Sequence, residues 1–288
     1  MNFPIIKKTN RLERFFILIL LLIAGLCFGT AISVVFTKFL KCNTLDLLRL
    51  SQISSQIFTF TLPPILYAIF VKKDPLKSLG FNKVSIKWLL IGLVLIFAIT
   101  PLNSVFAEWN ANIKLPESMR EIELLMQEMQ AAATSIIEQF VNVDSISGLI
   151  LNLFMIAGLA ALGEELLFRS VIQNSLINIC KNAHIGIILA SMIFSFIHFE
   201  FYGFVPRFVL GLILGYMYYY SRSIWVPMAM HFVNNGTIVF IYFLNHKGIT
   251  NIDVDTFGKT NLTILILSII VVIALFWAAI KQFKKEQI

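Results

Sequence analysis

Three short groups in the second half of this chain carry side chains that can do chemistry: Glu164-Glu165-x-x-x-Arg169, Phe194-x-x-x-His198 and His231-x-x-x-Asn235. Each lies within an apolar run, where an ionisable side chain is costly and marks a function by default. Glu165 and Arg169 are spaced i, i+4 with the acid first, the favourable order for an ion pair on one helix face. Glu165 therefore reads as the structural partner that neutralises Arg169. Glu164 points about 100° away on a helix and has no cation near it in sequence. A carboxylate left without a cation in an apolar setting suits the removal of a proton from water. His198 can hold that water or stabilise charge beside it. His231 and Asn235, one turn apart on one face, offer the N–H donors that a developing oxyanion needs.

The same side chains can be read as metal ligands. Two His and a carboxylate form a zinc donor set, so Glu164, His198 and His231 are the ligands if a metal is used. No His-x-x-x-His or His-Glu-x-x-His is present, so no single helix supplies two His ligands. The cofactor expectation is thus none, or one divalent metal with zinc as the candidate. The plainest alternative is that these residues only tie helices together by hydrogen bonds.

Elements must bring these groups to one depth. A turn falls near Lys181-Asn182, with Glu165 16 residues before Lys181 and His198 16 residues after Asn182. At about 1.5 Å per residue both lie roughly 24 Å along an antiparallel helix pair. From a turn at Arg222, Asn235 lies 13 residues along, or roughly 20 Å. Three helices thus carry two Glu, two His and one Asn to overlapping depths.

Composition says what those helices sit in. Of 288 residues, 58% are hydrophobic and 14% charged, with a net charge of +7. Soluble domains carry about 25% charged residues, so a soluble enzyme and a disordered chain are excluded. A nucleic-acid binder is excluded because the basic residues stand in short clusters between apolar runs, as in membrane proteins. Cys27, Cys42 and Cys180 are too few and too scattered for a disulfide framework or a thiolate site. The expectation is an all-α, polytopic membrane helix bundle of about eight transmembrane helices, with the site inside the second-half helices. The spans are 15–37, 51–71, 86–107, 148–179, 184–201, 205–221, 224–244 and 262–280. The fourth is long and tilted, the fifth is short, and Pro63-Pro64 should kink the second. Runs of this kind are not barrel strands, which alternate.

Loop charge gives orientation. Lys7, Lys8, Arg11 and Arg14 precede the first span; Lys72, Lys73, Lys77, Lys83 and Lys87 follow the second; Lys281, Lys284 and Lys285 close the last. The loop from Glu108 to Asp144 holds seven acids against Lys114 and Arg120. The positive-inside rule puts both termini in the cytoplasm, which eight spans satisfy. Lys38, Lys41 and Arg49 dissent mildly, on the outer side. The first span reads as an uncleaved anchor, a signal peptide being the alternative. A single integral membrane domain over 1–288 is expected, with a motif-bearing core at about 145–245 and an outer loop with an amphipathic helix at about 108–145. In that loop Ile122, Leu125, Met126, Met129, Ala133, Ile136, Ile137 and Phe140 recur at helical spacing. They read as a helix lying on the bilayer, or as a lid over a pocket. Gly211-x-x-x-Gly215 reads as a close helix contact. Arg207 reads as an interfacial anchor, or as a contact for a substrate carboxylate. His184 and His246 read as solvated residues at span ends.

The three motifs in this order, with Ser223-Ile224-Trp225-Val226-Pro227 ahead of His231, resemble the CAAX-protease and bacteriocin-processing (CPBP, or abortive-infection) family of intramembrane proteases. The resemblance covers roughly 145–240. It implies that Glu164 and His198 activate water, that His231 and Asn235 stabilise the oxyanion, and that Glu165 and Arg169 support the first motif. Members have been called metalloproteases and are also argued to use glutamate alone. The function expected is an intramembrane endopeptidase acting on a membrane-associated substrate, lipidated or C-terminal in the family's eukaryotic members. The alternative is a non-catalytic scaffold of the same fold in peptide maturation or bacteriocin immunity. A proton-coupled transporter fits less well, because its polar residues would not be confined to one half. The partners expected are a membrane-associated peptide or protein and the lipid bilayer, with no nucleic acid; the location expected is a bacterial inner membrane.

Overall fold

Asn and Ser open most of the long helices. Asn10, Asn43, Ser145, Asn182 and Asn261 each accept a hydrogen bond from the backbone N–H three residues on. These bonds satisfy donors that have no partner inside the helix. The computed structural model describes residues 10–254 and 256–287; Lys7 and Lys8, read as part of the basic N-terminal cluster, lie outside the described residues. The main helices are α1 (Arg11–Phe39), α2 (Thr44–Val71), α3 (Ile86–Ala111), α4 (Arg120–Val141), α5 (Ile146–Cys180), α6 (Ala183–Phe196), α7 (Phe204–Ser221), α8 (Trp225–His246) and α9 (Leu262–Lys285). No strand occurs among the described residues. The protein is an all-helical, polytopic integral membrane bundle.

Each of the eight expected spans is a helix, but they are not equal. Among the described residues, six helical stretches are long and apolar enough to cross a membrane: Glu13–Phe39, Thr44–Val71, Ile86–Ala111, Ile146–Cys180, Phe201–Ser221 and Leu262–Lys285. The fifth expected span, 184–201, is the 14-residue α6, which stops at Phe196. That is about 21 Å, short of a hydrocarbon core of about 30 Å. The seventh, α8, has 22 residues but is diluted by His231, Asn234, Asn235, Thr237 and Asn245. Both exceptions carry site motifs.

A wider turn precedes Pro63-Pro64. Residues Gln56–Thr61 form a π-helical turn just before the prolines, a common way for a helix to absorb missing donors. Helix α5 contains two more π segments, Leu153–Leu159 and Leu166–Gln173, flanking Ala160–Glu165. The two turns set by sequence are present as left-handed caps, Lys181 at φ 51° and Arg222 at φ 54°.

Contacts between helix ends show which loops share a membrane face. At one end Trp88 donates to Glu286 at 3.0 Å, Asn82 to the Arg222 carbonyl at 2.7 Å and Ser170 to the Leu79 carbonyl at 2.6 Å. At the other, Lys259 donates to Glu108 at 2.9 Å, Asn110 to the Phe201 carbonyl at 3.0 Å, and His246 meets Asp144 at 2.8 Å. The first face carries the basic clusters and the second the acidic loop.

Two buried clusters hold the site between them. Leu166, Leu167 and Phe168 of α5 pack with Tyr67, Phe194 and Met228. Trp88, Leu95 and Ile96 of α3 pack with Ile213, Leu214 and Met217 of α7 and Met230 of α8. The outward faces of α1, α3 and α9 expose Leu20, Phe28, Leu90, Phe97, Ile270 and Trp277. Lipid is as apolar as these side chains, so helices associate by close fit rather than by hydrophobic burial. The glycine pair on α7 shows that fit. A Cβ on Gly215 would lie 2.7 Å from Gln173 Oε1 and 2.9 Å from Ile187 Cγ2, and one on Gly211 3.1 Å from Ser191 Cβ.

Candidate active site

Glu164 and Glu165 sit at the end of the α-helical stretch of α5, just before its second π segment. Gly163 lets this stretch press against α2: a Cβ there would lie 2.7 Å from Thr61 Oγ1 and 2.9 Å from Phe60 Cβ. Glu165 and Arg169 are both fully buried and joined through Arg169 Nε to Glu165 Oε2 at 2.8 Å. The other carboxylate oxygen, Oε1, meets His231 Nδ1 at 2.8 Å. A carboxylate only accepts, so Nδ1 carries the hydrogen and Nε2 is turned away from Glu165. Phe194 stacks on this group, with the Arg169 guanidinium 5.0 Å from its ring centroid and the Phe168 ring edge-on at 5.1 Å.

Glu164 faces another way, into the space between His231 and His198. Its Oε2 lies 3.9 Å from His231 Nε2 and 4.0 Å from His198 Nε2. Its Oε1 accepts a long 3.5 Å contact from Gln56 Nε2 on α2. His198 meets the Phe194 carbonyl through Nδ1 at 2.8 Å, which fixes the hydrogen on Nδ1 and leaves Nε2 toward Glu164. The depth reading placed Glu165 opposite His198. The structure puts Glu164 beside His198, the two residues that the motif reading pairs, and Glu165 against His231.

These groups open into a cavity of about 610 Å³ lined by Glu164, His198, His231, Asn235, Gln56 and Arg207, among others. Asn235 donates to the Ile156 carbonyl at 3.2 Å and accepts from Asn234 at 3.1 Å. Ala133, Ile136, Ile137, Phe140 and Val141 of α4 complete the wall. The outer-loop helix therefore lines the cavity with its C-terminal half, although Ile136 and Ile137 there stay partly exposed, as do Ile122, Leu125 and Met129 of its first half.

The chain reverses sharply beside the site. Phe199 adopts φ 53°, a left-handed conformation that costs a non-glycine residue roughly 1–2 kcal/mol. That reversal leaves His198 at the tip of α6 and turns Glu200 back to the cavity wall. There Arg207 Nη2 donates to Glu200 Oε2 at 2.8 Å. The reading of Arg207 as an interfacial anchor is corrected accordingly: it lies in the cavity wall. Gly203 makes room, since a Cβ there would come within 3.2 Å of both terminal guanidinium nitrogens. His184 and His246 are exposed at span ends, as expected, and there meet Tyr216 at 2.9 Å and Asp144 at 2.8 Å.

Sequence reasoning missed Gln56 and Gln52, which line the same cavity from α2. The available signal was their i, i+4 spacing in an apolar run, which counting only ionisable residues passes over. Among the described residues, no three His, Cys, Asp or Glu are grouped as ligands for one metal ion. Glu164, His198 and His231 thus converge without forming a closed ligand set.

Residues 146–237 match the family model described as "Type II CAAX prenyl endopeptidase Rce1-like". Over 79 residues the chain is 35% identical to the uncharacterized protein YpbD of Bacillus subtilis (strain 168), a stretch covering 26% of this chain and 37% of that protein. Over 103 residues it is 32% identical to the membrane-embedded CAAX protease MroQ of Staphylococcus aureus (strain USA300), covering 34% of this chain and 41% of that one. The match thus spans about two fifths of these relatives' length. No solved structure matches the chain significantly.

Proposed function

From the likeness of residues 146–237 to the Rce1-like CAAX endopeptidases of the CPBP family, we propose that the protein is an intramembrane endopeptidase that hydrolyses a peptide bond with a glutamate-activated water. The observation that carries this reading is the placement of Glu164 Oε2 at 3.9 and 4.0 Å from two imidazole Nε2 atoms, inside one cavity. Those gaps are too long for direct hydrogen bonds and suit one water held among the three groups. Glu164 takes a proton from that water as its oxygen attacks the carbonyl carbon, and His198 Nε2 orients it. Charge gathers on the carbonyl oxygen, faced by the Asn235 amide and by His231, whose Nε2 donates when the ring carries a proton on both nitrogens beside the Glu165 carboxylate. Collapse breaks the C–N bond, and Glu164 returns its proton to the leaving amine.

The test compares membrane peptides by mass spectrometry from cells with the protein, without it, and with Glu164→Gln. Peptides that appear only with the unaltered protein support hydrolysis. The same set with Glu164→Gln would overturn Glu164 as the base, and the same set with Glu165→Gln as well would mean a non-catalytic scaffold.

The reading is metal-free. Chelation of the purified protein should leave turnover within about twofold, since the chemistry rests on a carboxylate and hydrogen-bond donors. Stoichiometric zinc, with activity lost on its removal and regained on its return, would refute it.

The cavity is walled by α4 and by Glu200, Gly203 and Arg207, all on the face of the acidic loop. With the basic clusters in the cytoplasm, the substrate enters from the outer side. Reporter fusions at Gln130 and Gln287 should then report opposite sides, Gln130 outside. A cytoplasmic Gln130 would reverse the direction of entry, and the same side for both would break the eight-span count.

A further inference from the structure

A separate cavity of about 220 Å³ lies at the basic face, where α1 begins and where α2 and α5 end. Arg14 from α1 and Lys72 from the end of α2 enter it together, beside Tyr67, Ser175 and Asn178. The two cations are far apart in sequence, yet the fold brings them into one small space. Like charges so placed repel, and an anion between them removes the repulsion. Burial and the neighbouring Arg14 guanidinium both push the Lys72 ammonium below its ordinary range. The Tyr67 and Ser175 hydroxyls add neutral polar groups to the wall.

The rim is of the opposite character. Phe15 and Ile179 line the same cavity and are 40% and 52% exposed. Phe16 beside them is 55% exposed. An apolar rim against a cationic hollow, at the level where three spans end, matches a ligand with a charged head and hydrocarbon tails. The volume is below the roughly 300–1,000 Å³ of drug-sized sites, and suits a phosphodiester rather than a nucleotide. We propose that Arg14 and Lys72, with Tyr67, Ser175 and Asn178, form a binding site for a phosphate group, supplied here by the headgroup of an acidic phospholipid whose chains run past Phe15 and Ile179.

The experiment is native mass spectrometry of the full-length protein in neutral detergent, titrated with phosphatidylglycerol or with phosphatidylcholine of the same chains. The unaltered protein should retain phosphatidylglycerol preferentially. Arg14→Gln with Lys72→Gln should lower that retention about tenfold or more, the scale expected for two basic contacts to an acidic headgroup. Lys83→Gln with Lys87→Gln removes equal charge from exposed positions on the same face and should leave retention within about twofold. Equal retention in the Arg14/Lys72 variant, or equal loss in the Lys83/Lys87 control, would overturn the site. Displacement by low-millimolar inorganic phosphate would overturn the lipid as source and assign the site to soluble phosphate; no displacement supports the lipid. Lys72→Met alone, checked for monodispersity, serves as a second reading if the double variant folds poorly, and it should also lose the preference.

Discussion

Glu164→Gln is expected to lower hydrolysis per folded molecule by at least ~10²-fold, the usual cost of losing a general base. The amide keeps the side chain's shape and can still bond Gln56, but it cannot take a proton from water. Folding should survive, because a neutral amide is cheaper to bury than a carboxylate. The supporting pair also stays intact, since Arg169 and His231 are held by Glu165 and not by Glu164. The measurement is the initial rate on a substrate found by the membrane-peptide comparison, normalised to monodisperse protein in detergent. Near-normal turnover with Glu164→Gln, beside a well-folded but inactive Glu165→Gln, would reverse the assignment of the base.

The assignment of the two carboxylates was legible only in part. The i, i+4 spacing gives the Glu165–Arg169 pair outright, because both residues belong to one helix and 3.6 residues make a turn. The partners across helices depend on rotation as well as depth. Depth can be counted in residues from a turn, and Lys181 and Arg222 do cap the helices where the count begins. Rotation cannot be counted here, because α5 carries two π segments around Ala160–Glu165 that turn the chain by less per residue than an α-helix. The sequence of α5 holds no proline to announce them. In α2 the π turn does have such a marker, Pro63-Pro64, and the distortion there was expected. Arg207 was misplaced for a similar reason: the reversal at Phe199 falls on a bulky residue, where no glycine or asparagine signals a left-handed turn. The helices themselves were plain from long apolar runs, since nothing else satisfies the backbone in lipid. The roof was open to two readings, because the apolar stripe of α4 looks the same over a bilayer and over a cavity.

Glu165→Gln is expected to cost the folded state about 3–5 kcal/mol, the scale for breaking a buried ion pair by removing one partner. Arg169 is fully buried, and among the described residues its two terminal nitrogens have no hydrogen-bond partner. Glu165 and the Phe194 ring are therefore what offset its charge. The yield of monodisperse protein and its melting midpoint should both fall. Turnover should fall as well, by about tenfold or more, because a charge-assisted bond to His231 Nδ1 becomes a neutral one while His231 faces the oxyanion. The two effects separate in a second variant. Glu165→Gln with Arg169→Met removes both charges and replaces the guanidinium with an apolar chain against Phe194, which is often close to neutral for stability. The double variant should recover yield and melting midpoint and still turn over slowly, since His231 Nδ1 still lacks its carboxylate. Recovery of turnover along with stability would mean that Glu165 serves only to neutralise Arg169, and that His231 acts without it.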